Sequence, residues 1–226
     1  AFQPPARFWP DVPRIVAGRD VLGGGSWFGV NDDGVAVTIV NGMDRLGPVP
    51  GKSSRGELVL RALREPDALA AARAAGDLPA DRYRGFTLLA ADRGAAYAVT
   101  SDESAITVTP LAPGHHMITP DGCDVAWSPR FAAHFAAFRD AAPPDPARGD
   151  WRAWSELLRR ADLDDPHRAM TVVTAERFGT VCSTLLALPA QRSAPPVMLF
   201  ADGAPTGAPY ERIDLSPHQA TAAESR

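Results

Sequence analysis

The sequence predicts an α+β fold, a four-layer αββα sandwich in which two mainly antiparallel sheets lie between outer helices. Residues 26–40 have the pattern of a β-hairpin, residues 84–109 that of a β-meander, and residues 128–158 that of two helices followed by further strands. A doubly wound parallel sheet would instead alternate single strands with helices. A two-layer α+β domain is the second architecture that fits this order.

Length and composition indicate one globular domain. The chain has 226 residues, of which 45% are hydrophobic and 22% are charged, as in ordinary globular proteins. We predict a single domain over residues 1–216 and a polar, disordered tail over residues 217–226. No apolar run approaches the roughly 20 residues that a membrane helix requires. A net charge of -4 disfavours general binding of nucleic acid.

The residue usage also bears on origin and compartment. Lys52 is the only lysine among 23 basic residues, which together with abundant Ala, Pro and Arg indicates a GC-rich bacterial genome. Cys123 and Cys182 suit reduced thiols as well as a disulfide, and we expect a cytoplasmic protein. Because Ala1 follows neither an initiator Met nor a signal-peptide pattern, we expect the chain to be truncated or processed.

The central hairpin follows three consecutive glycines, residues 23–25. Strands are expected at residues 26–30 and 35–40, joined by a turn in which Asp33-Gly34 tolerates positive φ. Glycines flank Trp27, although glycine weakens a strand unless another backbone has to come close. Trp27 is therefore either a core anchor or the wall of a ligand cleft. Asn41, at the end of the second strand, suits a turn as well as a binding site.

Irregular structure and helices surround this hairpin. Residues 1–22 are expected to be irregular, with at most one short strand. Ser54 and Glu57 have the spacing of a capping box at the start of a helix. Pro66 is expected to split that helical segment into two helices, and Gly76 to end the second.

Two more helices are expected after the meander, one beginning at Ser128-Pro129 and one capped by Asp150. Aromatic residues on these helices are expected in the core: Phe131, Phe135, Phe138, Trp151 and Trp154. His134 is expected to be partly buried. Strands are then expected at residues 169–174, 179–188, 196–201 and 210–213.

One group of residues contains side chains that commonly bind metals: His115, His116, Asp121, Cys123 and Asp124. We expect no metal site there, because adjacent residues of a strand point to opposite faces and the spacing matches no recognised zinc pattern. Phosphate loops, nucleophile elbows and zincin helices do not occur in the sequence.

Five groups of residues, spread over residues 7–215, together match the motif order of a known family. They are Phe8-Trp9 with Gly18-Arg19-Asp20, residues 24–31 with Asn41, residues 54–59, residues 85–92, and Phe178-Gly179-Thr180 with residues 183–186. In this combination the chain resembles the NRDE family, which includes the eukaryotic transport and Golgi organisation protein two. The resemblance implies an Ntn-hydrolase-like sandwich, in agreement with the layer order above.

Family members begin with Met-Cys and carry an Asn-Arg-Asp-Glu motif, and neither precedes Ala1. In an Ntn hydrolase the first residue is the nucleophile, and the Ala1 side chain has no hydroxyl or thiol. As written, the chain is therefore not an active Ntn hydrolase, and whether it is an enzyme stays open. It also departs from the family pattern in three places, with Thr87 where the family has Asn, Thr119-Pro120 where it has Ser-Asn, and Val181 where it has Arg.

The resemblance implies that the protein binds a small amphipathic anionic molecule of the haem or acyl-coenzyme A class, since relatives are linked to haem trafficking and acyl-coenzyme A metabolism. The candidate ligand-binding residues are Arg19, Trp27, Asn41, Ser54 and Arg55. Trp27 would supply apolar contact, and Arg55 with Arg19 would meet acidic groups. For Ser54, a capping role competes with a ligand role. The alternative function is an amide-bond hydrolase whose N-terminal cysteine is missing from this sequence.

Overall fold

A computed structural model describes residues 1–42, 47–162, 164–174, 179–191 and 193–218. Over these residues the fold is an α+β sandwich, with a seven-stranded antiparallel sheet, a three-stranded sheet and a two-stranded ribbon. The predicted fold class is confirmed. The tail predicted at residues 217–226 lies outside the described residues from position 219 onward. None of the described helices is long and apolar enough to cross a membrane.

The large sheet is a meander in which each strand pairs with the next along the chain. Its strands are β1 (Phe2–Ala6), β2 (Ile15–Asp20), β3 (Phe28–Asn31), β4 (Ala36–Asn41), β5 (Phe86–Ala91), β6 (Ala96–Ser101) and β7 (Ile106–Leu111). The meander predicted at residues 84–109 is therefore confirmed.

The first 22 residues correct the sequence prediction, because they form β1 and β2 rather than one strand at most. Pro4 and Pro5 made β1 look irregular, since proline cannot donate a hydrogen bond to a ladder. At the edge of a sheet, however, only one side of the strand is paired, and proline is tolerated there. The pairing of β1 with β2 shifts register between Gln3 and Ala6, where these prolines lie.

The central hairpin forms between β3 and β4, and Gly34 in its turn has a φ of +84°. The buried side chain of Asn31 holds this turn against the helical layer. Its amide nitrogen donates to the carbonyl oxygens of Leu63 at 2.9 Å and Glu65 at 2.8 Å. Its amide oxygen accepts a hydrogen bond from the backbone N–H of Val35 at 2.9 Å.

Two helices, α1 (Gly56–Ala62) and α2 (Ala68–Gly76), cover one face of the large sheet. Pro66 lies between them and Gly76 ends the second, as predicted. Alanines allow α2 to approach the sheet closely, and four of them are buried: Ala68, Ala71, Ala72 and Ala75. A Cβ atom on Gly76 would come within 2.5 Å of the Val108 side chain, so this end of α2 has no room for a larger residue.

The predicted capping box does not form. Helix α1 begins one residue later than that pattern requires, with Arg55 as its N-cap and no side-chain capping bond. The Glu57 carboxylate instead accepts hydrogen bonds from the Tyr83 hydroxyl at 2.5 Å and from Arg82 at 3.3 Å. Tyr83 and Arg82 are 26 and 25 positions from Glu57 in sequence, so a long-range contact replaces the local capping bond.

The three-stranded sheet packs on the other face of the large sheet. It contains β10 (Ser183–Ala187), β11 (Val197–Ala201) and β12 (Glu211–Ile213). Val16, Val30 and Met198 form the buried core between the two sheets. The strand predicted at residues 169–174 is wrong: among the described residues there, Val173 forms one isolated bridge to Gly179.

The ribbon of β8 (Ile118–Thr119) and β9 (Gly122–Cys123) precedes helices α3 (Pro129–Asp140) and α4 (Arg152–Leu158). Trp151 is buried as predicted, but Phe131, Phe135, Phe138 and Trp154 are only half-buried, which corrects their assignment to the core. Phe131 and Phe135 stack on each other, with ring centroids 4.4 Å apart, on a helix at the outside of the fold. The buried residue of α3 is His134.

Candidate functional site

A cleft of about 680 Å³ lies at the end of the large sheet where β4 finishes. The segment from Asp20 to Trp27, the end of β4 and the loop that leads into α1 form its walls. A volume in the range of about 300–1,000 Å³ is typical of sites that bind cofactors and other small molecules. Four of the five predicted ligand-binding residues line this cleft: Trp27, Asn41, Ser54 and Arg55.

Glycines at two positions bring the walls of the cleft together. The backbone N–H of Ser26 donates to the carbonyl oxygen of Gly56 at 3.1 Å. A Cβ atom on Gly25 would lie 2.5 Å from the carbonyl carbon of Gly56, so a side chain would push the two segments apart. The close backbone approach that glycine in this strand suggested is therefore present.

Trp27 forms the apolar wall, and small or aromatic neighbours fix its position. A Cβ atom on Gly18 would come within 2.5 Å of the Trp27 ring, so glycine is needed there for the indole to lie against β2. The Phe2 ring packs edge-on against the indole, with centroids 5.6 Å apart. Ile39, whose backbone N–H bonds to the Trp27 carbonyl at 3.0 Å, adds a second apolar side chain.

Three cationic side chains also line the cleft: Lys52, Arg55 and Arg84. The Arg55 guanidinium donates to the Gly85 carbonyl at 2.9 Å, and burial together with the charge of Arg84 lowers its pKa. Arginine nevertheless keeps its charge at neutral pH. Lys52 forms an ion pair with Glu103 and donates to the Tyr83 carbonyl at 3.1 Å.

The remaining predicted residues differ in their surroundings. The Asn41 side chain makes no hydrogen bond to any residue that the structure describes. Ser54 is exposed, and its hydroxyl oxygen accepts a weak bond from the Gly56 N–H at 3.3 Å. Arg19 is not among the cleft residues, because it projects from β2 over the ring of Phe8, 5.9 Å from the centroid.

Sequence reasoning missed three charged residues of the cleft, Asp20, Lys52 and Arg84. Asp20 appeared only as part of a family pattern, and its carboxylate accepts hydrogen bonds from the N–H groups of Leu22 and Gly23, both at 3.0 Å. Neither Lys52 nor Arg84 belongs to a local pattern. The one available signal was that Lys52 is the only lysine of the chain.

The departures from the family pattern lie elsewhere. Thr87 is buried in β5, and Thr119 in β8 accepts a hydrogen bond from the Ser128 hydroxyl at 3.2 Å. Val181 is 57% exposed. None of these residues is among those described as lining the cleft, so these substitutions remove no polar group from it.

A second cavity of about 250 Å³ lies where the two sheets meet, bounded by Val16, Arg93 and Leu215 among others. It contains none of the predicted ligand-binding residues. The larger cleft is therefore the candidate functional site.

Comparison with known proteins adds the family. No curated protein matches the chain. The family model described as Transport and Golgi organisation 2 matches residues 3–194, which is most of the chain. This confirms the resemblance to the NRDE family, and the protein belongs to the Transport and Golgi organisation 2 family.

Proposed function

We propose that the protein binds an amphipathic anionic molecule, of the haem or acyl-coenzyme A class, in the cleft beside Trp27. The observation that carries this proposal is that one cavity is lined both by apolar side chains, Trp27 and Ile39 among them, and by the cationic side chains of Arg55 and Arg84. A molecule with a flat or extended apolar part and acidic groups can contact both kinds of side chain.

The cationic side supplies the recognition of acidic groups. A guanidinium has five N–H donors, and the described hydrogen bond from Arg55 to Gly85 uses one of them. Hydrogen bonds between charged partners contribute about 1.5–3 kcal/mol each. Arg55 and Arg84 together would therefore hold a pair of carboxylates or a phosphate.

The apolar side supplies affinity for the rest of the ligand. Besides Trp27 and Ile39, the cleft is lined by Leu22, which is 85% exposed, and Val49, which is 37% exposed. Covering such side chains with an apolar ligand removes their surface from water, at about 25 cal/mol per Å².

A haem bound in this cleft would be a cargo that is held through its carboxylates. The described lining residues include no His, Cys, Met or Tyr, the usual axial ligands of haem iron. Contacts to the propionates from Arg55 and Arg84, and stacking on Trp27, do not require iron. We therefore expect metal-free protoporphyrin IX to bind in the same cleft as hemin.

Direct titration tests the proposal. Purified protein is titrated with hemin, protoporphyrin IX, a long-chain acyl-coenzyme A and free coenzyme A, and binding is followed by absorbance or calorimetry. Saturable one-to-one binding of a porphyrin or of the acyl-coenzyme A is expected. If free coenzyme A were the only one of the four compounds to bind, the role of the apolar wall would be contradicted. If none of the four bound saturably, the proposal would be refuted.

Variants of cleft residues test whether the ligand binds in the cleft. Loss of one charged hydrogen bond in Arg55→Ala is expected to weaken binding about 10-fold or more. The matched control is Arg139→Ala, on the exposed surface of α3. Trp27→Phe is expected to weaken binding and to abolish most of the ligand-induced quenching of tryptophan fluorescence, whereas Trp127→Phe, at a residue 74% exposed, is expected to change neither.

The amide-bond hydrolase remains a prediction, because it depends on residues that would precede Ala1. The cytoplasmic location and the bacterial origin likewise remain predictions.

A further inference from the structure

A cluster outside the cleft brings three different metal-binding side chains together at the β8–β9 ribbon. His116, Cys123 and Asp124 each offer one ligand atom, and these atoms all lie within 4.8 Å of one another. It is the one group of this kind among the described residues. The sequence prediction of no metal site assumed that His115 and His116 lie in a strand, but both precede β8, and one histidine suffices when the thiol and the carboxylate come from residues 123 and 124.

The ribbon explains why these residues meet. Cys123 pairs with Ile118 in the ladder, and the Asp124 N–H donates to the Met117 carbonyl at 2.9 Å. This pairing places Asp124 opposite Met117 and therefore next to His116. Asp124 has a φ of +55°, a conformation that aspartate tolerates better than most residues and that turns its carboxylate back toward His116.

Hydrogen bonds hold the part of each polar ligand that faces away from the cluster. The His116 Nε2 donates to the Ala112 carbonyl at 2.7 Å, which leaves Nδ1 directed at the Asp124 Oδ2 at 2.5 Å. The other carboxylate oxygen, Oδ1, accepts a hydrogen bond from the Met117 N–H at 2.8 Å. Metal-binding histidines are typically oriented in this way, through a bond from the second ring nitrogen to a carbonyl or carboxylate.

We propose that His116 Nδ1, Cys123 Sγ and Asp124 Oδ2 bind one divalent ion of the zinc class. Nitrogen, thiolate and carboxylate are the donors that zinc accepts, at bond lengths of about 2.0–2.3 Å. Ligand atoms at tetrahedral angles around such an ion are about 3.3–3.8 Å apart. The distance between His116 Nδ1 and Asp124 Oδ2, 2.5 Å, enters that range when the two side chains separate by about 1 Å, a small movement because they are 27% and 36% exposed. The Cys123 Sγ lies within 4.8 Å of both atoms. Three protein ligands leave the fourth position for water.

Cobalt and zinc titrations of protein without a histidine tag test the site. One equivalent of Co²⁺ is expected to bind and to produce thiolate-to-cobalt charge-transfer absorption, which one equivalent of Zn²⁺ removes. The variants Cys123→Ser, His116→Ala and Asp124→Asn are each expected to weaken Zn²⁺ binding at least 10-fold, and Cys123→Ser to abolish the charge-transfer absorption.

The chain offers matched controls, Cys182→Ser for the thiol and His115→Ala for the histidine. Both are expected to bind metal like the unaltered protein, and the thermal unfolding of each variant without metal shows that it is folded. Absence of saturable one-to-one binding refutes the site. Persistence of the charge-transfer absorption in Cys123→Ser, or equal losses in the controls, refutes the assignment of its ligands.

Discussion

Replacing Asn31 by alanine removes the side chain that ties the central hairpin to the helical layer. The residue is 6% exposed, and its side chain makes three hydrogen bonds, to Leu63, Glu65 and Val35. Each hydrogen bond contributes about 0.5–1.5 kcal/mol net, and the partners left behind are shielded from water. We therefore expect Asn31→Ala to lower the free energy of unfolding by about 2–4 kcal/mol. For a chain of this size, that corresponds to about 4–16 °C in Tm.

The assay is urea and thermal unfolding beside Asn41→Ala, a control of the same residue type at the end of the neighbouring strand. Asn41 makes no side-chain hydrogen bond to a described residue, so its replacement is expected to cost less than about 0.5 kcal/mol. Asn31→Asp preserves the size of the side chain but replaces the amide donor with an acceptor. It is expected to destabilise the protein at least as much as Asn31→Ala. An Asn31→Ala variant within 0.5 kcal/mol of the unaltered protein would show that these hydrogen bonds do not hold the hairpin.

Two further predictions concern the cleft wall and α3. Gly18→Ala places a Cβ atom within 2.5 Å of the Trp27 ring, so we expect a loss of about 1–3 kcal/mol in stability and altered tryptophan fluorescence. The control Gly207→Ala, where space is open, is expected to show neither effect. Burial lowers the pKa of His134 below its usual value near 6.5, so the folded state binds fewer protons than the unfolded state. The free energy of unfolding is therefore expected to fall as pH decreases below 6.5. Denaturant titrations between pH 7 and 5 should show a smaller fall for His134→Gln than for the unaltered protein, and the same fall for His115→Gln as for the unaltered protein.

Local patterns predicted the elements whose causes are local. The turn at Asp33-Gly34 was recognised because few residues tolerate positive φ, and Pro66 separates two helices because it interrupts helical hydrogen bonding. The strands of the meander were recognised from β-branched and apolar runs between turn residues. In each case the relevant interaction spans only a few positions.

Predictions failed where a distant partner decided the outcome. The spacing of Ser54 and Glu57 suits a capping box, yet Glu57 bonds to Tyr83. The phenylalanines of α3 have core spacing, yet no other layer covers them fully, and the edge position of β1 accommodates prolines that would disrupt a central strand. Competing contacts, coverage and edge position are properties of the assembled layers.

The candidate site shows the same division. Resemblance to a family and unusual glycines directed attention to Trp27, Asn41, Ser54 and Arg55, and these residues meet in one cleft. The same reasoning selected Arg19, which faces Phe8, and overlooked Lys52 and Arg84, because charged side chains from separate loops carry no shared sequence pattern.

The α+β class, the hairpin around Trp27 and the family could be recognised from the chain alone, because turn chemistry, hydrophobic period and ordered motifs are properties of the linear sequence. Three-dimensional packing determined which polar groups share a cavity and which faces are covered. It also decided that His116 meets Cys123 and Asp124. Those outcomes depend on the pairing register and the packing of layers, which residue type and spacing along the chain do not specify.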